Sequence, residues 1–224
     1  MKFNNVKGIV WDLDGTLLDS FTEFENIINV IARENGYTIP SHEDMLENYH
    51  GSLSDTIKKV LGIDSAEELD KVTESFVEKE AKLNSSDIES QLYKDAVTLA
   101  SHAGELHIHQ LIVTNRAHKD GGAASPRNII AATTLADYIH DVNPGDEVDY
   151  RKPDSRSMGD WMDRYKLSPE EVIVIGDQHV DAQLAINIGA RAILINRNGT
   201  IPHIDSLTDN NNVTIVDNLE EVEI

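Results

Sequence analysis

Four short apolar runs with few charges recur along the chain: Gly8-Ile9-Val10-Trp11, Gln110-Leu111-Ile112-Val113, Val172-Ile173-Val174-Ile175 and Ala192-Ile193-Leu194-Ile195. Continuous runs of this length fit strands buried on both faces, as in a parallel sheet. Helical spacing separates several of them. Met158, Trp161, Met162 and Tyr165 fall at i, i+3, i+4 and i+7, and Leu184, Ala185 and Ile188 repeat the pattern after the third run. The alternation predicts an α/β domain with a doubly wound, mostly parallel, Rossmann-like sheet.

Residues 20–89 read differently. They contain no strong strand run, and Ile27, Ile28 and Ile31, then Ile57, Val60 and Leu61, then Val72, Phe76 and Val77 keep helical spacing. The expected organisation is therefore a core of residues 1–19 and 90–224 with a small helical unit, 20–89, inserted in it. Ser65-Ala66-Glu67-Glu68 has the capping-box pattern, and Ser168-Pro169-Glu170-Glu171 adds proline at the first helical position, so both should start helical turns. Gly36, Pro40 and Gly62 punctuate the insert. There is no internal repeat, and Gly121-Gly122-Ala123-Ala124-Ser125 and Asp209-Asn210-Asn211-Asn212 read as surface loops.

Charge narrows the partners. The 224 residues carry 19 Lys and Arg against 40 Asp and Glu, a formal charge of −21 and the opposite of what a phosphate-backbone binder needs. Nucleic acid and anionic membrane surfaces are poor partners for such a surface. Hydrophobic residues at 40% and charged residues at 26% fit a folded globular chain rather than a disordered one. The absence of cysteine removes disulfides, thiolate nucleophiles and Cys-ligated metals, and favours a reducing compartment. The apolar run before Asp12 is too short for a signal peptide or a membrane span, so a cytoplasmic protein is expected.

The chemistry gathers at the ends of the apolar runs. The first ends in Asp12-Leu13-Asp14-Gly15-Thr16, two carboxylates one residue apart at the edge of an α/β sheet where ligands bind. Side chains alternate along a strand, so Asp12 and Asp14 converge only if the chain turns, which Gly15 permits. An Asx-turn followed by glycine is the plainer alternative. The third run ends in Gly176-Asp177-Gln178-His179-Val180-Asp181. With a helix starting there, Asp177 and Asp181 approach one point, and carboxylates converging from two strand ends suit Mg²⁺. A helix-capping role for Asp181 is the alternative. Thr114-Asn115 after the second run offers a hydroxyl and an amide to an anion, and Lys152 before Pro153 a point positive charge.

In this order the four segments resemble the haloacid dehalogenase-like hydrolase superfamily: Asp12-Leu13-Asp14-Gly15-Thr16, Thr114, Lys152-Pro153, and Gly176-Asp177 through Asp181. The helical insert looks like the cap of the phosphoglycolate phosphatase and β-phosphoglucomutase branch. The resemblance implies Asp12 as the nucleophile that forms an aspartyl-phosphate, and Asp14 as acid and base. It implies Mg²⁺ held by Asp12, the Asp14 backbone carbonyl and Asp177, with Asp181 orienting the site. Thr114, Asn115 and Lys152 would bind the phosphoryl oxygens. An acid at Asp14 suits phosphate esters, whose leaving oxygen needs a proton, better than halides, which need none. The expected activity is a Mg²⁺-dependent phosphatase acting on a small phosphate monoester, phosphoglycolate-like or a sugar phosphate. A sugar phosphomutase and a non-catalytic phospho-ligand-binding protein are the alternatives.

Some positions depart from that pattern or stand outside it. Gln178 occupies a position where Ser or Thr is expected, and Trp11 is large for the residue before the nucleophile. The stretch from Thr114 to Asp137 is somewhat long. Within it Arg116, Lys119 and Arg127 against Asp120 give a local charge of +2, which would offset the repulsion of an anionic substrate if this loop rims the cleft. His50-Gly51-Ser52 lies where relatives place substrate-facing residues, so His50, Gly51 and Arg116 are candidates for specificity; an ordinary turn is the alternative for the first two. His107 and His109 alternate as on a strand, but without a third ligand they read as a strand face rather than a zinc site.

Overall fold

A computed structural model describes residues 1–49, 52–82, 85–117, 122–197 and 210–224. Among these, six strands form one parallel sheet: β1 (Gly8–Trp11), β2 (His109–Val113), β3 (Asp141–Asn143), β4 (Val172–Gly176), β5 (Arg191–Ile195) and β6 (Val213–Val216), in the order β3-β2-β1-β4-β5-β6. The four apolar runs are the four central strands. Alternation along them supplies two cores. Ile9, Trp11, Ile112, Ile173, Ile175, Ile193 and Ile195 face one layer, which includes Ala96, Leu99, Ala100 and Ala103 of α6 (Lys94–Glu105). Val10, Leu111, Val113, Val172, Val174, Ala192 and Leu194 face the other, against Trp161 of α8 (Trp161–Tyr165) and Ala182, Leu184 and Ala185 of α9 (His179–Ile188). Both faces are covered, which is why these strands read as unbroken apolar runs.

Trp11 is accommodated by a polar contact that the sequence does not announce. Its indole Nε1 donates to Gln110 Oε1 at 3.0 Å, and Gln110 Nε2 donates to the carbonyls of Ala100 at 2.9 Å and Tyr138 at 3.2 Å. A buried glutamine thus ties two strands to the helix layer with its polar atoms satisfied.

Among the described residues of 20–90 the regular elements are all helices: α1 (Ser20–Asn35), α2 (His42–Asn48), α3 (Leu53–Leu61), α4 (Ala66–Glu80) and α5 (Ser85–Ser90). Phe21, Phe24, Ile27, Ile28, Ile31, Met45, Ile57, Val72 and Phe76 of α1–α4, together with Ile63, make a core of their own, whereas Ile88 of α5 packs in the sheet core with Leu92. Gly36 and Gly62 close α1 and α3 in the left-handed conformation, and Ser65 caps α4 by accepting from the Glu68 amide.

Three expectations are corrected. Met158 and Trp161 to Tyr165 do not share one helix: a 3-10 turn over Ser155–Met158 stops at Gly159, whose φ of +59° breaks the repeat before the five-residue α8. The segment from Gly122 is not a plain surface loop. Gly122–Ala124 form a 3-10 turn, with Ala124 and Ser125 buried ahead of α7 (Pro126–Ala131). His107, at φ +57°, precedes β2 and shares no strand face with His109, whose ring stacks on Tyr165. Among the described residues no helix is long and apolar enough to cross a membrane.

Candidate active site

Adjacent strands β1 and β4 place the chemistry. The sheet order reverses around them, the second and third strands lying on one side and the fifth and sixth on the other, and their carboxyl ends are where ligands bind in open α/β sheets. Trp11 pairs with Ile175, and the Asp12 amide donates to the Ile175 carbonyl at 2.8 Å, so Asp12 leaves its strand beside Gly176-Asp177. Ligand oxygens of Asp12, Asp177 and Asp181 all lie within 4.8 Å of one another.

Two glycines make that approach possible. A Cβ on Gly15, whose φ is +79°, would stand 2.3 Å from Asp177 Oδ2, and a Cβ on Gly176 would stand 2.2 Å from Asp181 Cγ. Gly15 is thus required both by its backbone conformation and by the carboxylate that fills the space beside it. Thr16 Oγ1 donates to Asp177 Oδ1 at 3.3 Å. Asp181, in the first turn of α9, accepts from the Gln178 amide through Oδ2 at 3.0 Å, so it closes the helix start and serves the cluster at once. Because this contact uses the backbone of Gln178, a glutamine there is as serviceable as the expected Ser or Thr.

Lys152 is the cation of the cluster. Its Nζ donates to Asp12 Oδ1 at 2.6 Å and to Asp181 Oδ1 at 2.7 Å, and all three side chains are buried, 7% exposed or less. Its backbone is held too, the amide donating to Asn115 Oδ1 at 3.2 Å. Thr114 Oγ1 accepts from the Arg116 amide at 3.0 Å, and the Thr114 amide donates to the Asn143 carbonyl at 3.2 Å. Thr114 and Asn115 therefore fold the loop after β2 around Lys152.

Three carboxylates face one ammonium, and the electrostatics follow. Burial first, then the Asp181 and Asp14 charges, push the Asp12 carboxyl up to about 7 against the pull of Lys152. Burial, Asp12 and Asp181 raise Asp177 well above the usual range. Burial works against the charged form of Lys152, but Asp12 and Asp181 outweigh it and hold the ammonium above its ordinary value. The cluster carries more negative charge than its own lysine neutralises, and its donors are hard carboxylate oxygens. Both observations fit a divalent cation such as Mg²⁺.

Asp14 points elsewhere. Its carboxylate takes a forked pair of bonds from Arg116, Nη2 to Oδ1 at 2.6 Å and Nε to both oxygens at 3.1 Å. Arg116 Nη1 donates to Glu80 Oε1 at 2.9 Å and to the Ala124 carbonyl at 3.0 Å. The expectation that Arg116 lends positive charge to the cleft is corrected: its guanidinium, 17% exposed, is already matched by two carboxylates. Arg127 likewise pairs with Glu147, at 2.7 Å. Beside Arg116 lies a small hollow lined by Ser20, Glu23, Glu80, Gln91 and Ala124 among others. Burial raises the Glu23 and Glu80 carboxyls there. His50, Gly51 and Lys119 lie outside the described residues.

Sequence reasoning missed Thr16, Glu80 and Glu23. Thr16 stood inside a quoted motif and could have been assigned, whereas Glu80 is one acidic residue among many on a solvated-looking helix.

Comparison with known proteins gives the family and the fold. The family model for haloacid dehalogenase-like hydrolase matches residues 9–195. A phosphoglycolate phosphatase of Rhodobacter capsulatus is 28% identical over 187 residues, covering 81% of this chain and 80% of that protein. One from Nitrosospira multiformis is 27% identical over 199 residues, covering 85% and 83%. In fold, the chain is similar to the crystal structure of a predicted phosphoglycolate phosphatase from Haemophilus somnus, with a TM-score of 0.76 at 18% identity over 97% of this chain and 96% of that one. The matched span runs from the first buried strand to the fifth and takes in every carboxylate of the cluster, and on that match the chain belongs to the haloacid dehalogenase-like hydrolases.

Proposed function

We propose that this chain is a Mg²⁺-dependent phosphatase of small phosphate monoesters that works through an aspartyl-phosphate on Asp12. The observation that carries the reading is the buried Asp12–Lys152–Asp181 ion pair with Asp177 beside it, at the switch point of the sheet. Such a site holds a carboxylate where an anionic phosphoryl group can approach only if positive charge is concentrated around it. The relatives' names support phosphate ester hydrolysis.

In the first step an Asp12 carboxylate oxygen attacks phosphorus, and the bond to the leaving oxygen breaks as Asp14 gives that oxygen its proton. In the second, Asp14 takes a proton from water, the water oxygen attacks phosphorus, and the bond to Asp12 breaks, releasing inorganic phosphate and restoring the carboxylate. Lys152 keeps Asp12 placed and shares its charge with phosphoryl oxygens. Thr114 and Asn115 hold the loop that presents Lys152 and lie on the phosphate side of the site. Asp12, the Asp14 backbone carbonyl and Asp177 would hold Mg²⁺, with Asp181 orienting them; when bound, the ion supplies charge neutralisation between carboxylate and phosphate. Residues 20–89 act as a cap over the core of 1–19 and 90–224, excluding bulk water in the first step and admitting one molecule in the second. His50 and Gly51 are the candidates for substrate specificity, while Arg116 serves Asp14.

The test is release of inorganic phosphate from a panel of small monoesters, phosphoglycolate and sugar phosphates included, with Mg²⁺ or EDTA. Release by wild type that requires Mg²⁺ and disappears in Asp12→Asn is the expected result. No release from any ester would refute the phosphatase reading and leave the phosphomutase or the binding protein.

A further inference from the structure

The Arg116 guanidinium is anchored at two ends that belong to different layers. One end is forked onto Asp14, in the turn after β1; the other is held by Glu80, the last residue of α4, and by the Ala124 carbonyl. Glu80 and Arg116 are both largely buried, at 18% and 17% side-chain exposure. A carboxylate in that position without its partner would be costly, so Glu80 fixes the arginine as firmly as the arginine fixes Glu80. Among the described residues, the side-chain bonds that Asp14 receives all come from Arg116. The placement of the Asp14 carboxylate is thereby set from the helical unit, through one planar fork whose two edges cannot move independently.

We infer that Glu80 is a positioning residue for Asp14, acting through Arg116 and tying the seat of α4 to the proton transfer at the leaving oxygen. The inference rests on the phosphatase reading above and adds to it a residue with no part in that chemistry. Glu80 touches neither the phosphoryl site nor the Asp12 cluster. Its effect on turnover should therefore follow how much the leaving group needs a proton.

The experiment compares wild type with Glu80→Gln, Glu80→Ala and Glu80→Asp on two substrates under saturating Mg²⁺. One is an alkyl phosphate, whose alkoxide needs a proton to leave; the other is p-nitrophenyl phosphate, whose phenolate leaves without one. General acid catalysis contributes about 10²–10⁴-fold, and disturbing its placement should cost part of that. Because Asp14 also serves the second step, which the two esters share, they are compared by kcat/KM, which ends at phosphorylation of Asp12: Glu80→Gln and Glu80→Ala are expected to lower it by about 10- to 100-fold on the alkyl ester and by less than about three-fold on p-nitrophenyl phosphate. Glu80→Asp should recover part of the loss, since it keeps the charge. Equal losses of kcat/KM on both esters, or no loss on either, would overturn the inference. Should Glu80→Ala fail to fold, the isosteric Glu80→Gln decides by the same ratio of the two esters. Wild type without Mg²⁺-dependent turnover would refute the phosphatase reading and this inference with it, whereas an active wild type with an unmoved ester ratio refutes the inference alone.

Discussion

Removing a carboxylate that the proposed chemistry needs should make the metal-free protein more stable. Asp177 is part-buried, accepts from the Thr16 hydroxyl at 3.3 Å, and shares its space with Asp12 and Asp181. Lys152 spends its short contacts on the other two acids. Two unit charges 4.8 Å apart repel by about 3 kcal/mol at the effective dielectric that suits protein interiors. Part of this is relieved because burial and the neighbouring charges favour the neutral form of Asp177, and Lys152 attracts the charged one from further away. Asp177→Asn keeps the shape, removes the repulsion and adds an amide that can donate to Asp12 or Asp181. It should stabilise the protein in EDTA near neutral pH by about 1–3 kcal/mol, read by urea unfolding with linear extrapolation. Millimolar Mg²⁺ should stabilise wild type and leave the variant unmoved, because an ion that binds only the folded state adds its binding energy to stability. A variant less stable than wild type in EDTA, or equally stabilised by Mg²⁺, would refute the argument that these carboxylates are crowded in wait for a cation.

The same crowding sets a pH dependence. The Asp12 carboxyl stands at about 7 in the folded chain against 3.8 for the free group, so folding favours its protonated form. In EDTA the melting temperature should then fall as pH rises from about 4 through 7, and Mg²⁺ should flatten that slope; a melting temperature that rises over the window would contradict the assignment. Gly15→Ala forces a Cβ to 2.3 Å from Asp177 Oδ2 at a φ of +79°, and should cost at least about 2 kcal/mol together with nearly all turnover, measured by thermal melting and phosphate release. Trp11→Phe strands Gln110 Oε1 in the core and should cost about 1–3 kcal/mol in urea unfolding while leaving KM unchanged.

Much of this protein is written locally. The four central strands are legible because a strand covered on both faces must be apolar at every position, so Gly8–Trp11 and Val172–Gly176 stand out without any partner being known. The edge strands β3 and β6 are not: Asp141–Asn143 and Val213–Val216 are short and partly polar, and they become strands only by pairing with β2 and β5. Helix ends at Gly36, Gly62 and Ser65 follow from backbone and capping chemistry within a few residues. The repeat from Met158 to Tyr165 misled because spacing reports which faces are apolar, not whether a glycine at positive φ interrupts the chain between them.

The site divides along the same line. The candidates Asp12, Asp14, Thr114, Asp177 and Asp181 were readable from their positions at the ends of buried runs, and Lys152 from its place before Pro153. How they are wired was not. That Lys152 bridges Asp12 and Asp181, and that Arg116 is spent on Asp14 and Glu80 instead of facing substrate, depends on segments up to 140 positions apart meeting at one sheet edge. A charge in the sequence has no sign of its partner; burial removes the water that would otherwise answer it, and only the folded chain decides which opposite charge takes that place.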